Sequence, residues 1–86
     1  MQARALVAWN LRRIRVERGL SQERLAFDSG IDRAYLGSLE RGTQNPTVDT
    51  LDKLADLLGV AVGELFKEPS KGEAPPAPLK AGRRPA

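Results

Sequence analysis

With 86 residues the chain has room for one small domain and a correspondingly modest core. It contains no cysteine and no histidine, which removes disulfides, thiolate nucleophiles, the commonest zinc ligands and the usual general base, and argues against an enzyme. The net charge of +3 is unevenly spread: residues 1–45 carry eight arginines against five acids, residues 46–68 two lysines against five acids, and residues 69–86 four basic residues against Glu73.

From Ala3 to Arg18 neither proline nor glycine interrupts, and Val7, Leu11 and Ile14 recur at helical spacing, which predicts a first helix with arginines on its other faces. The apolar stretch Ala5–Ala8 after Arg4 is too brief for a signal peptide, and no run approaches the roughly 20 apolar residues that span a bilayer, so the chain reads as cytoplasmic with no membrane partner. Gly19 stands where a left-handed cap closes a helix. Ser21 can accept from the first free N–H groups of a second helix, with Glu23 favoured in its first turn and Leu25, Ala26 and Phe27 turned inward. That helix stops near Ser29 and Gly30, and Asp32 caps a third from Arg33 to Arg41. Leu36 and Leu39 take its buried side, while Arg33, Gly37 and Arg41 stack outward beside Ala34 and Ser38.

Gly42 ends the third helix. The loop Thr43-Gln44-Asn45-Pro46 leads to Thr47, cap of a fourth helix with Asp49 in its first turn and Val48, Leu51, Leu54, Ala55 and Leu58 as its apolar stripe. Gly59 closes that helix, and Ala61 to Phe66 reads as a short fifth. From Glu68 onward the Pro, Ala, Lys and Arg content cannot bury enough apolar area to offset the cost of ordering, so 1–67 is the domain and 68–86 a disordered tail. No stretch alternates as a strand does. The expected architecture is all-α, five short helices around a core that includes Leu25, Leu36, Leu39, Leu51, Leu54, Leu58 and Leu65.

A helix, a short glycine-containing turn and a second helix with a polar outer face, at about residues 22–41, form a helix-turn-helix, whose second helix enters the DNA major groove. Closer detail adds to this. Arg15, "GLSQERLA" from Gly19, "GIDRAYLGSLERG" from Gly30, Asn45-Pro46, and "LDKLADLLGV" with Glu64-Leu65-Phe66 together resemble the Cro/C1-type, or XRE-like, helix-turn-helix family over about residues 6 to 66. The resemblance implies a lambda-repressor-like five-helix fold. It puts Gln22 on a phosphate, bracing the recognition helix; Arg33, Ala34 and Ser38 on base edges, with Gly37 on the same face; and Tyr35, Arg41, Gln44 and Asn45 along phosphates. Arginine suits base reading because its planar fork matches the O6 and N7 acceptors of guanine. Glu40 faces the negative end of its own helix dipole, and the resemblance implies an ion pair with Arg15 on the first helix.

Where the sequence departs from the family pattern, the readings stay open. Gly37 stands where a larger polar residue is usual, either to admit a close approach to DNA or because the position is tolerant. Ala61 replaces a Ser or Thr cap and Gly63 weakens the fifth helix further. Trp9 lies off the first helix's apolar stripe and reads as partly exposed or as an interface anchor, while Arg12, Arg13 and Arg18 read as solvated or as tracking phosphates. The function implied is a prokaryotic transcriptional regulator that binds double-stranded DNA as a homodimer at a pseudo-palindromic operator, with half-sites about 34 Å apart. No cofactor, metal or small-molecule ligand is implied, and there is no room for a ligand-sensing domain. The alternatives are a restriction–modification controller, a small phage or plasmid repressor, or an antitoxin-like interaction protein whose DNA binding is autoregulatory.

Overall fold

Capping side chains and glycines divide the chain into α1 (Ala3–Glu17), α2 (Gln22–Ser29), α3 (Arg33–Glu40), α4 (Val48–Leu58) and a 3-10 segment, Val62–Phe66. The computed structural model describes residues 1–70, so most of the 68–86 tail lies outside the described residues. Each of α2, α3 and α4 starts on a side chain that satisfies an otherwise orphaned backbone donor. The Ser21 hydroxyl accepts from the Arg24 N–H, the Asp32 carboxylate from the Tyr35 N–H and the Thr47 hydroxyl from the Thr50 N–H, each at 3.0 Å. Such caps contribute on the order of 1 kcal/mol each. Gly30 ends α2 at φ 72°, a left-handed conformation that a side chain would strain.

Val7, Leu11 and Ile14 of α1 meet Leu25 and Ala26, Leu36 and Leu39, the α4 row Leu51, Leu54, Ala55 and Leu58, and Leu65, all buried in one cluster. Within it α1 packs on α3 and on the 3-10 segment, α2 on α3 and α4, and α4 on the 3-10 segment. Leu11, Leu36, Leu54 and Leu65 are wholly out of water. Burying each such side chain is worth about 1.5–3 kcal/mol.

Two expectations are corrected. Phe27 does not turn inward but is 81% exposed, because the two-turn α2 gives its core side to Leu25, Ala26 and Ser29, and each residue rotates about 100° out of that face. Val48 is 76% exposed: it is the first residue of α4, and the buried row starts one turn later at Leu51. The fifth element is a 3-10 helix that begins after Ala61 without a side-chain cap, and it buries Leu65 while leaving Phe66 41% exposed. Trp9 is half-buried, and its indole N–H is out of water with no hydrogen-bond partner among the described residues.

Candidate nucleic-acid interface

Only three residues, Gly30, Ile31 and Asp32, connect α2 to α3. The Ile31 N–H closes the turn by donating to the Ala26 carbonyl at 3.1 Å and to the Ser29 hydroxyl at 3.3 Å. The C-terminal end of α3 is held from the other side. Arg15 of α1 donates through Nε to Glu40 Oε2 at 2.6 Å and through Nη2 to Glu40 Oε1 at 2.9 Å, and its Nη1 donates to the Leu20 carbonyl at 2.7 Å. The two side chains are 6% and 4% exposed. Gln22, first residue of α2, donates to Glu40 Oε1 at 3.0 Å. One carboxylate therefore joins α1, α2 and α3 and offsets its own unfavourable position near the dipole's negative end.

This bracing presents the outer face of α3. Arg33 and Ala34 are exposed, and Arg33 Nε lies 3.5 Å from Glu23 Oε2. Arg41, just past the helix end, is exposed. Gly37 is buried, and beyond its own helix backbone a Cβ there would meet side-chain atoms: Arg33 Nη1 and Arg41 Nη1 at 3.5 Å and Gln22 Oε1 at 3.7 Å. Arg33, Gly37, Arg41 and Gln22 thus share one surface.

Ser38 sits apart from that group. It is 7% exposed, and its hydroxyl donates to the Tyr35 carbonyl at 2.7 Å. Its own carbonyl accepts from the Thr43 N–H and hydroxyl, both at 3.1 Å, which fixes the loop carrying half-buried Gln44 and exposed Asn45. Tyr35 is half-buried against the core.

Three side chains take roles that went unread in the sequence. Asn10 is wholly buried and donates to the carbonyls of Leu6, Leu65 and Lys67 at 2.9, 3.1 and 2.8 Å, tying the 3-10 segment to α1. The signal for it was its place four residues after Leu6 and four before Ile14, on the inward row. Arg18 and Arg13 are not simply solvated. Arg18 donates to the Leu58 carbonyl at 3.0 Å, where a cation suits the α4 C-terminus, and Arg13 donates to Asn10 Oδ1 at 3.0 Å.

Residues 11–65 match the HTH_3 helix-turn-helix family. An uncharacterized HTH-type transcriptional regulator, y4dJ, of Sinorhizobium fredii is 52% identical over 65 residues, 76% of this chain and 84% of that protein. The restriction-modification controller protein C.AhdI from Aeromonas hydrophila superposes with a TM-score of 0.70 at 44% identity, over 73% of this chain and 96% of that one. SinR, a master regulator for biofilm formation solved in complex with DNA, superposes with a TM-score of 0.68 at 34% identity, over 71% and 98% of the two chains. The chain belongs to the HTH_3 helix-turn-helix family of Cro/C1 type, a family of transcriptional regulators and not of enzymes.

Proposed function

We propose that the protein is a sequence-specific regulator that lays α3 in the major groove of an operator, with Arg33 as its principal base reader. The observation that carries this reading is the buried Arg15–Glu40–Gln22 junction, which fixes α3 on the body of the domain while leaving Arg33 and Ala34 exposed on its outer face. A braced helix with an arginine fork at its start matches the geometry by which guanine O6 and N7 are read. Ala34 offers a methyl surface to thymine, Gln22 the start of α2 to a phosphate, and Gln44 and Asn45 a loop along the strand. Ser38 supports this face from beneath through its bond to the Tyr35 carbonyl. The protein acts in the cytoplasm, on the nucleoid.

A homodimer completes the proposal, because one short helix gives too little contact for tight specific binding. Leu57 of α4 and Val62 and Phe66 of the 3-10 segment, 42%, 38% and 41% exposed, supply apolar surface for a second copy. Within the class, a restriction–modification controller is supported by the 44% identity to C.AhdI, against 34% to SinR, each matched over nearly its whole chain.

Selection from random duplex DNA with sequencing, at two salt concentrations and beside Arg33→Ala, tests the reading. A palindromic motif whose preference the variant relaxes at one position per half-site supports it. Weak binding that falls uniformly with salt and returns no motif is phosphate contact alone and sinks it.

A further inference from the structure

Gly37 is buried and has no side chain, and two guanidiniums lie over the place a Cβ would take. Arg33 Nη1 and Arg41 Nη1 each lie 3.5 Å from the point its Cβ would occupy, so they stand at most about 7 Å apart, twice that distance. Eight residues of helix separate their origins by about 12 Å along the axis, so the side chains lean toward each other across the glycine. The Arg33 side also has Glu23 Oε2 at 3.5 Å from its Nε, and Gln22 Oε1 faces the same notch. Among the described residues no ion pair engages Arg41, and its guanidinium lies back along α3 rather than out toward the flanking loop.

Neighbouring base pairs are spaced by about 3.4 Å along the duplex, so two forks within about 7 Å of each other address base pairs no more than two steps apart. Resting on the reading of α3 as the groove helix, we propose that Arg33 and Arg41 form one paired reader, Arg41 taking guanine acceptors within two steps of the base pair that Arg33 reads, and that Gly37 sets specificity by leaving the notch between them open. This moves Arg41 from the phosphate role implied by the family resemblance to a base edge. Gly37 acts through the two arginines and is a positioning residue. A long side chain in its place would occupy the space in which both guanidiniums rest.

The test is selection from random duplexes with wild type, Arg33→Ala, Arg41→Ala, Arg41→Lys and Gly37→Met, followed by affinities for single-base variants of the selected site. Arg33→Ala and Arg41→Ala are each expected to relax one base pair per half-site, the two positions lying within two steps, with discrimination falling about 5- to 150-fold at each. Arg41→Lys keeps the charge but loses the planar fork, and is expected to lose the same preference. Gly37→Met is expected to relax both positions together. The proposal is overturned if Arg41→Ala returns the wild-type motif, binds every sequence more weakly by the same factor and lowers the salt slope by about one, which is the behaviour of a phosphate contact. In that outcome the groove reading of α3 still stands, whereas a wild type that selects no motif removes the groove reading and the pair with it. Both arginines are exposed, so their variants are expected to melt with the wild type, and they decide the question whether or not Gly37→Met folds.

Discussion

Arg15 and Glu40, 25 residues apart in sequence, are joined by two nearly parallel hydrogen bonds at 2.6 and 2.9 Å, with both side chains almost out of water. Their attraction offsets the cost of removing two charges from solvent, and neither charge is tolerable there alone. Arg15→Ala is therefore expected to lower stability by about 3–5 kcal/mol in urea melts, because it strands the Glu40 carboxylate. The double variant Arg15→Met/Glu40→Leu is expected to recover most of that loss. It should nevertheless bind DNA more weakly than wild type, since Gln22 no longer has Glu40 to hold it. If the single variant melts with the wild type, the pair is not a keystone of the fold.

Asn10 anchors the 3-10 segment by donating to the carbonyls of Leu65 and Lys67. Asn10→Ala leaves those acceptors unpaired at the α1 surface, and a loss of about 1–3 kcal/mol is expected. Hydrogen exchange offers the sharper readout. Residues 62–67 should lose protection in this variant well before α3 does, since α3 is held by a separate junction. Uniform loss of protection would assign Asn10 to the global core instead.

Gly37→Ala separates the helix-propensity cost of the glycine from its service to the arginines. A Cβ there would rest at 3.5–3.7 Å from its neighbours, an ordinary packing distance, so the methyl fits. Replacing glycine within a helix by alanine is expected to stabilise by about 1 kcal/mol, which for a domain of this size raises Tm by about 4–8 °C. A lower Tm would mean that the guanidiniums cannot yield even to one methyl.

Phe66 and Leu57 are exposed where a second copy is proposed to dock. Phe66→Asp and Leu57→Glu are expected to leave the melting of the isolated domain within about 0.5 kcal/mol, as exposed substitutions do. They should shift sedimentation from dimer to monomer and weaken operator binding far more for a full palindrome than for a single half-site. An unchanged sedimentation profile in both variants would place the dimer contact elsewhere.

Much of this protein could be read from its residues because the determinants are local. The positions of α1 to α4 follow from Ser21, Asp32 and Thr47 as caps, from glycines where the chain turns left-handed, and from leucines at helical spacing, all of which act within a turn or two. The outer row Arg33, Gly37, Arg41 follows from the same periodicity. What only the folded chain decided are the interactions between distant segments. Phe27 and Val48 are apolar yet exposed, because which side of a short helix is buried depends on its neighbours. Asn10 is polar yet wholly buried, because the carbonyls of Leu65 and Lys67, more than fifty residues away, come to meet it. The last element is a 3-10 helix whose Leu65 is wholly buried against α1 and α4, segments distant in sequence, although its cap residue Ala61 makes no side-chain cap bond. The convergence of two guanidiniums over Gly37 belongs to this second kind, since spacing puts Arg33 and Arg41 on one face but only packing against Gln22 and Glu23 of α2 sets where their ends lie.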